Sequence, residues 1–253
     1  MEDERALVDG PALDGLVATL SPDPYYLSPG GRQFLFAASL VSGLPRGARV
    51  LDIGCGFGPA SVDLAEAFLC RVTGFDSFAP YLATARATAI ERGIERLVTF
   101  RQLAEREPLS EFRHGSYDVV LGLGGSLSDT IPGGLEAGVA ASAAWLSVGG
   151  ILICGNLVAA ATPSELIEAV YDGKLRTESA YLEVIDEFGF DLIFAARATR
   201  ADWADLHRTL ALLRDRGVTM PPAADEGRAA IVAAAAVHPE VAFLNVVARR
   251  RPE

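Results

Sequence analysis

One short stretch of this chain constrains its fold more than any other. Residues 50–53 are mostly apolar and run directly into Gly54-Cys55-Gly56-Phe57-Gly58. Such a run is typical of a strand buried on both faces of a parallel sheet, and glycines let the backbone turn tightly beside a ligand. Residues 71–75 predict the next strand, which ends at Asp76. A strand, a glycine loop and an acid after the next strand indicate a nucleotide-cofactor site.

The spacing of the glycines selects among nucleotide cofactors. Dinucleotide folds use G-x-G-x-x-G, but here Gly58 comes one residue early and Pro59 stands in the expected place. A nicotinamide-dependent dehydrogenase is therefore the weaker interpretation. The pattern of Asp52, Gly54, Gly56 and Gly58 resembles instead the first motif of the class I S-adenosylmethionine-dependent methyltransferases.

This resemblance implies S-adenosylmethionine as the cofactor and S-adenosylhomocysteine as the product. The positive end of the helix after the loop suits the methionine carboxylate. Asp76 would accept hydrogen bonds from both ribose hydroxyls. The predicted cofactor-binding residues are Asp52, Gly54, Cys55, Gly56, Gly58, Asp76, Ser77, Leu103, Ala104 and Gly122.

Two places depart from the family pattern. Many members have Gly-Asp-Ala after the third strand, whose acid binds adenine, but residues 101–105 have no acid at the matching place. We expect the backbone near Leu103 and Ala104 to contact adenine, unless the matching place is one residue off. Relatives that methylate amide or exocyclic nitrogens often carry Asn/Asp-Pro-Pro-aromatic where this chain has residues 123–125, Leu-Gly-Gly. That difference argues against a nucleic-acid or protein-glutamine substrate.

Composition narrows the partners. The chain has 253 residues, half of them hydrophobic, and a formal net charge of −11, whereas nucleic-acid binding draws on clustered Lys and Arg. No charge-free apolar stretch is long enough to span a membrane, and the first residues are acidic, unlike a secretory leader. The three cysteines show no disulfide or metal-ligand spacing. We expect a cytoplasmic protein with a small-molecule substrate, no nucleic-acid or membrane partner, and no metal.

Strand and helix patterns alternate along the chain, which predicts βαβ units and a parallel sheet. We predict strands at 48–53, 71–75, 97–101, 117–122, 150–154, 190–196 and 241–248, and helices at 32–42, 59–68, 79–92, 134–146, 163–171, 178–188, 201–216 and 225–237. By resemblance the fold is doubly wound α/β, Rossmann-like, with a mostly parallel seven-stranded sheet, an antiparallel last strand and a helical lid. Residues 146–150 would form a helix-to-strand turn, with Gly149 as a left-handed cap.

The predicted organisation has two parts. Residues 1–46 form a leader and a capping helix, and residues 47–253 form the methyltransferase domain. Residues 199–239 form a helical insertion that leaves and returns at the carboxyl edge of the sheet, where ligands bind in open α/β folds. We interpret this insertion as a lid over the substrate; the alternative is a helical pair that completes the core.

Few side chains are candidates for chemistry. Asp129 follows the fourth predicted strand. His207 lies on a predicted helix that would begin with a capping box of Thr199 and Asp202. Asp129 and His207 are the candidate catalytic residues. His114 is discounted because it precedes the fourth strand, at the opposite edge of the sheet. The candidate substrate-binding residues are Tyr25, Tyr26, Ser126, Asn156 and Trp203.

The resemblance extends beyond the glycine motif. Ser28-Pro29-Gly30, Trp203 and residues 243–247 are similar to a group of small bacterial methyltransferases of general type. We therefore expect an enzyme that transfers a methyl group to a small-molecule acceptor by in-line displacement. Two alternatives stay open: an enzyme of the same fold that transfers the aminocarboxypropyl group or cyclises the cofactor, or a cofactor-binding partner protein without turnover.

Overall fold

Apolar runs in the sequence become the strands of one sheet. The residues that the computed structural model describes are 25–103, 112–171, 175–218, 220 and 239–252. In the central strand, Val50, Leu51 and Ile53 have none of their surface exposed. Strands of this composition are stable only where helices cover both faces of the sheet.

The sheet has seven strands. They are β1 (Arg49–Ile53), β2 (Arg71–Asp76), β3 (Val98–Gln102), β4 (Tyr117–Gly122), β5 (Leu146–Ala159), β6 (Phe190–Arg197) and β7 (Val241–Arg250). Their order is β3-β2-β1-β4-β5-β7-β6. The first four pairings are parallel, and β7 runs antiparallel to both β5 and β6. The predicted mostly parallel sheet with an antiparallel last strand is confirmed.

Helices connect and cover these strands. Within the described residues they are α1 (Gly31–Val41), α2 (Pro59–Phe68), α3 (Ala79–Glu91), α4 (Ser126–Thr130), α5 (Gly134–Trp145), α6 (Glu165–Tyr171), α7 (Glu178–Glu187) and α8 (Arg200–Asp215). A 3-10 turn, Leu123–Gly125, precedes α4. No helix in this described part has the length and apolar character needed to cross a membrane.

The apolar side chains of the strands form two core layers, because successive side chains along a strand point to opposite faces of the sheet. Val50 packs with side chains of α1, α2 and α3 on one face. Leu51 and Ile53 pack with side chains of α5 and α7 on the other. The sheet is therefore doubly wound, and its carboxyl edge beyond β1 and β4 is left for a ligand.

Strand β5 is longer than the sequence pattern predicts. We expected a strand at 150–154 after a turn at 146–150, but β5 begins at Leu146, directly after α5. Leu146 pairs with Tyr117 of β4, and the register then shifts. Gly149 has the expected left-handed φ of 75°, but within this irregular strand rather than as a helix cap. Pairing with the neighbouring strand overrides the local turn preference of these residues.

The segment after β4 also differs from the prediction. Gly124 and Gly125 have positive φ values of 69° and 88°, as a tight loop requires. However, the chain there forms the 3-10 turn and the five-residue helix α4 rather than an open loop. So short a helix has no visible apolar periodicity, since one period takes 3.6 residues.

Part of the predicted organisation is found in α8. The helix begins as expected: the Thr199 hydroxyl accepts the N–H of Asp202, and the Asp202 carboxylate accepts the N–H of Thr199. Residues 1–24, the second insertion helix at 225–237 and Ala104 lie outside the described residues. The division into a leader, a domain and an insertion therefore stays a prediction.

Candidate functional site

The loop between β1 and α2 has a conformation that glycine favours. Gly54, Gly56 and Gly58 have φ values of 61°, 56° and 73°, in the left-handed region where a Cβ is disfavoured. The N–H of Gly58 donates to the carbonyl of Cys55 at 2.8 Å, and α2 begins at Pro59. The loop thus turns the chain from the strand into the helix over a few residues.

Asp76 fastens this loop from the neighbouring strand. One of its carboxylate oxygens accepts the N–H of Gly56 and the other accepts the N–H of Phe78, each at 2.9 Å. A carboxylate has about four lone-pair sites. Two backbone hydrogen bonds therefore leave Asp76 the capacity to accept further hydrogen bonds from a ligand.

Asp52 lies buried beneath the loop. It is 3% exposed, and its carboxylate accepts a hydrogen bond from the Ser61 hydroxyl at 2.7 Å. Burial raises the pKa of Asp52 to about 7; the charge of Asp76 adds to this rise, and the Ser61 hydrogen bond opposes it. Asp52 therefore exchanges its proton near neutral pH. Ser61 could not be identified from the sequence, because a serine inside a helix carries no distinguishing pattern.

These residues line a cavity of about 700 Å³ at the carboxyl edge of the sheet. The volume is within the range of small-ligand sites, roughly 300–1,000 Å³. The predicted site residues that line this first cavity are Tyr25, Tyr26, Asp52, Gly54, Cys55, Gly56, Asp76, Ser77, Leu103, Ser126 and Asp129. The structure thus brings most of the predicted cofactor residues together with several predicted substrate residues.

Two features of the first cavity suit the sugar and amino-acid parts of S-adenosylmethionine. A Cβ placed on Gly56 would meet nothing within 4 Å, so a ligand can approach the loop backbone closely. The Ser126 hydroxyl is buried and has no hydrogen-bond partner among the residues described. Since buried polar atoms are almost always hydrogen-bonded, a polar group of a ligand would satisfy it.

Two predicted cofactor residues serve packing instead. A Cβ on Gly58 would lie 2.8 Å from Phe100 and 2.9 Å from Ala85, and a Cβ on Gly122 would overlap Leu127. Neither Gly58 nor Gly122 is among the described residues that line the first cavity. Both glycines permit close approach between neighbouring elements, a role that motif spacing does not distinguish from ligand contact.

Four aromatic rings form one wall of the first cavity. Ring centroids lie 4.2 Å apart for Phe57 and Tyr81, 5.2 Å for Tyr25 and Phe57, and 5.0 Å for Phe78 and Tyr81. Arg216, just after α8, donates to the Tyr25 hydroxyl at 3.2 Å. Of these four rings, only Tyr25 was predicted from the sequence, because the other three have the pattern of ordinary core residues.

A buried ion cluster holds Tyr26 in place. The Tyr26 hydroxyl donates to Asp63 at 2.8 Å, and Arg32 donates to the two oxygens of the same carboxylate at 2.9 Å each. Arg92 lies 3.8 Å from that carboxylate, whose residue has none of its side chain exposed. The segment that carries Tyr25 and Tyr26 is therefore anchored to α2, beside the glycine loop.

A second cavity of about 670 Å³ adjoins the first. Leu27, Gly124, Asp129 and Gly133 line both. The second cavity is otherwise lined mainly by apolar and aromatic side chains from separate elements, including Leu135, Leu157, Tyr171, Leu175, Tyr181, Trp203, Leu206, Leu210 and Phe243. Helix α8 contributes three of these, so the first helix of the predicted lid does cover a cavity.

Asp129, Asn156 and Trp203 meet at this second cavity. Asp129 lies at the junction with the first cavity. The Asn156 amide donates to the Ser128 hydroxyl at 2.7 Å. Trp203 is 7% exposed and packs edge-on against Phe243, with centroids 6.3 Å apart. These three predicted residues are far apart in sequence, and only the tertiary structure brings them together.

The structure does not bring His207 to either cavity. The cavity-facing stripe of α8 contains Trp203, Leu206 and Leu210, and a rotation of about 100° per residue places His207 at the rim of that stripe. Among the described residues lining the two cavities, His207 is absent. His114 precedes β4, at the opposite edge of the sheet, as predicted.

The strand order, the glycine loop and the acid at the end of β2 define the fold of the class I S-adenosylmethionine-dependent methyltransferases. Residues 50–150 match the family model described as "Methyltransferase domain". This match covers less than half of the chain, and together with the fold it confirms the resemblance inferred from the sequence.

Solved structures agree with this fold. A SAM-dependent methyltransferase from Geobacter sulfurreducens, in complex with S-adenosyl-L-homocysteine, superposes with a TM-score of 0.68 at 21% identity, covering 97% of this chain and 100% of that one. The [4+2]-cyclase SpnF superposes with a TM-score of 0.68 at 19% identity, covering 96% of this chain and 93% of that one. Since these two proteins differ in activity, the likeness establishes the fold alone.

A curated relative gives a shorter match. The S-adenosyl-L-methionine-dependent Diels-Alderase iliD of Neonectria sp. (strain DH2) is 35% identical over 77 residues. The match covers 29% of this chain and 31% of that protein, so it spans less than a third of the relative's length. The fold is thus shared by proteins named for methyl transfer and proteins named for cyclisation.

Proposed function

We propose that this protein is an S-adenosylmethionine-dependent methyltransferase that acts on a small-molecule acceptor. The observation that carries the proposal is the pairing of two cavities: a polar first cavity built on the glycine loop, and an apolar second cavity that shares Leu27, Gly124, Asp129 and Gly133 with it. A donor and an acceptor bound in adjoining cavities are held close together, as in-line displacement requires.

The residues of the first cavity suit the parts of the cofactor. Asp76 would accept the ribose hydroxyls, Ser126 would bind a polar group, and the positive N-terminal end of α2 would face the methionine carboxylate. Leu103 would lie against adenine. When bound, the cofactor supplies an electrophilic methyl group on a sulfonium.

Catalysis by this chain would be mainly positioning. Holding the acceptor atom in near-attack geometry supplies roughly 7–11 kcal/mol in favourable cases. Where the acceptor loses a proton, Asp129 is the candidate to take it, because its carboxylate lies where the two cavities meet. The predicted role of His207 has less support, since the residue lies at the rim of the α8 stripe.

The first experiment is calorimetric titration with S-adenosylmethionine, S-adenosylhomocysteine and NADH. We expect micromolar binding of the first two ligands and none of NADH. Mass spectrometry of reactions with a library of acceptors then identifies the product of the cofactor. S-adenosylhomocysteine supports methyl transfer, whereas methylthioadenosine would identify aminocarboxypropyl transfer or cyclisation of the cofactor.

A second candidate function is cyclisation of a bound polyene with no consumption of the cofactor. The likeness to a [4+2]-cyclase over most of the chain, and to a Diels-Alderase over 77 residues, favours it. Such a reaction would convert a substrate in the second cavity into an isomer of equal mass. Unchanged S-adenosylmethionine beside an isomerised substrate would support this candidate and reject methyl transfer for that substrate. Binding of cofactor with no turnover, alongside a copurifying stoichiometric protein, would support the partner-protein alternative.

A further inference from the structure

The second cavity has one continuous aromatic and aliphatic wall. Trp203, Leu206, Leu210 and Phe243 form a single cluster in which every member is buried. Leu135, Leu175 and Tyr181 extend the apolar lining from other elements. Burying apolar surface of a ligand here would contribute roughly 25 cal/mol per Å². The walls therefore favour an apolar body over a polar one.

Most polar groups of this lining already bond to one another. The Asn156 amide donates to Ser128 at 2.7 Å, and its carbonyl oxygen accepts the N–H of Leu157 at 2.8 Å. Arg176 forms an ion pair with Glu136. Among the described residues that line this cavity, Arg176 is the only cation. The charge of that cation is therefore already neutralised within the described lining.

Tyr171 differs from these paired groups. Its hydroxyl is buried and, within the described part of the chain, has no hydrogen-bond partner. The residue lines the second cavity, and burial raises the pKa of its hydroxyl, so the group stays a neutral donor at physiological pH. A buried hydroxyl without a partner is rare in folded proteins, so a carbonyl or hydroxyl of a ligand is its natural partner.

We propose that the second cavity binds an uncharged, largely apolar acceptor, with a carbonyl or hydroxyl oxygen on the Tyr171 hydroxyl and the reacting end beside Asp129. This inference rests on the proposed function and adds the substrate class. The cavity of about 670 Å³ is of the size that holds a molecule of several rings or a comparable chain. A negatively charged acceptor is disfavoured, because the described lining offers no unpaired cation to compensate its buried charge.

Two fluorescent probes test the charge preference. N-phenyl-1-naphthylamine is neutral, and 8-anilinonaphthalene-1-sulfonate adds one sulfonate to the same skeleton. In titrations with S-adenosylhomocysteine present, we expect saturable one-to-one binding of the neutral probe and at least tenfold weaker binding of the sulfonate. Equal or tighter binding of the sulfonate by the unaltered protein would overturn the inference.

A matched pair of variants tests where the neutral probe binds. Leu175 lines the second cavity and lies between helices α6 and α7. Leu175→Trp should therefore fill part of the cavity and weaken binding of the neutral probe at least tenfold. Leu192 is 49% exposed on β6 and lines neither cavity. Leu192→Trp should leave the affinity unchanged. Equal affinities in the two variants would show that the probe binds elsewhere, and would overturn the inference.

A third probe tests the role of Tyr171. The neutral dye 6-propionyl-2-(dimethylamino)naphthalene carries a carbonyl that can accept a hydrogen bond. Tyr171→Phe keeps the ring but removes the hydroxyl, so it should weaken binding of this dye about three- to tenfold, the effect of one hydrogen bond. The same substitution should alter binding of N-phenyl-1-naphthylamine less than twofold. Equal changes for both probes would contradict the assigned role of the hydroxyl.

Calorimetry of S-adenosylhomocysteine on the same samples separates the two levels of the proposal. Failure to bind S-adenosylhomocysteine would overturn the proposed function, and the substrate class with it. Normal binding of S-adenosylhomocysteine by a protein that does not bind the neutral probe would overturn the substrate class alone.

Discussion

The two adjoining cavities are built in opposite ways. In the first cavity, Asp52, the glycine loop and Asp76 come from one continuous stretch of consecutive strand-helix units, and residues within 25–28 and 123–133 add to the lining. The second cavity draws its lining from the segment before α1, from α4 to α8, and from β5 and β7. The loop and carboxylates of the first cavity are thus encoded locally, whereas the second cavity depends on how distant elements pack.

The cavities also differ in what recognises a ligand. The first presents a glycine backbone, carboxylates and a buried hydroxyl, and the loop itself is held by hydrogen bonds to Asp76. The second presents aromatic and aliphatic side chains, with few polar groups left for a ligand. Recognition by backbone suits one invariant cofactor, and recognition by side chains permits acceptors to vary between proteins of the same fold.

The largest expected effect is on catalysis at the junction of the cavities. Asp129→Asn should lower kcat by about 100-fold or more with a proton-bearing acceptor, the usual contribution of general base catalysis, while the affinity for S-adenosylhomocysteine stays unchanged. The measurement is the steady-state rate of S-adenosylhomocysteine release, with the first acceptor found in the product screen.

His207→Gln is the matched comparison for that substitution. Because His207 lies at the rim of the α8 stripe, we expect its kcat to stay within about twofold of the unaltered protein. A loss in His207→Gln equal to that in Asp129→Asn would transfer the catalytic role to the histidine.

The next effect is expected at Gly54, where the glycine loop contacts helix α4. A Cβ on Gly54 would lie 2.8 Å from Ser126 Cβ and 2.9 Å from the Thr130 hydroxyl oxygen, at a φ of +61°. Left-handed strain of about 1–2 kcal/mol and overpacking of about 1–3 kcal/mol should make Gly54→Ala bind S-adenosylhomocysteine about 100-fold more weakly. Titration calorimetry measures this loss.

Gly47→Ala controls for backbone strain. Gly47 has a φ of +78°, and its Cβ would meet nothing within 4 Å, so this variant carries the left-handed strain without the collision. We expect it to bind S-adenosylhomocysteine normally. Equal losses in both variants would attribute the effect to general destabilisation rather than to the loop.

A smaller effect is expected at the ribose ligand. Asp76→Ala should weaken S-adenosylmethionine binding by about ten- to 100-fold, because charge-assisted hydrogen bonds contribute roughly 1.5–3 kcal/mol each. Asp191, 65% exposed near the start of β6, provides the control substitution Asp191→Ala. Unchanged affinity in Asp76→Ala would refute the assignment of the ribose ligand.

The last expected effect is on stability rather than on binding or catalysis, and it is the pH dependence contributed by Asp52. Its folded-state pKa of about 7 is raised from an ordinary value of 3.8, so the folded protein binds this proton more tightly than the unfolded chain. The stabilisation is fully present below pH 3.8 and is lost as the pH rises through about 7.

Urea unfolding of the unaltered protein and of Asp52→Asn between pH 4 and pH 8 tests this expectation. The free energy of unfolding of the unaltered protein should fall relative to Asp52→Asn by at most about 1.4 kcal/mol per pH unit within the window. A constant difference across the window would show that the Asp52 carboxyl is not perturbed by burial.

The fold was largely predictable because its periodic patterns are strong. Alternating strands and helices predicted the sheet correctly, and residues of the glycine motif together with Asp76 line the first cavity. The errors lay where pairing overrode local preference, as in the early start of β5 at Leu146, or where an element was too short to show a period, as in α4.

The sequence by itself determined the class of fold, the glycine loop that lines the first cavity and the carboxylate that holds this loop, because these depend on backbone conformations set by adjacent residues. The tertiary structure alone decided which glycines line the first cavity and which permit close packing. It also decided that Asp129 rather than His207 lies where the cavities meet, and that Tyr171 lines the apolar cavity. These distinctions depend on distances between residues that are remote in the chain, and no local pattern encodes such distances.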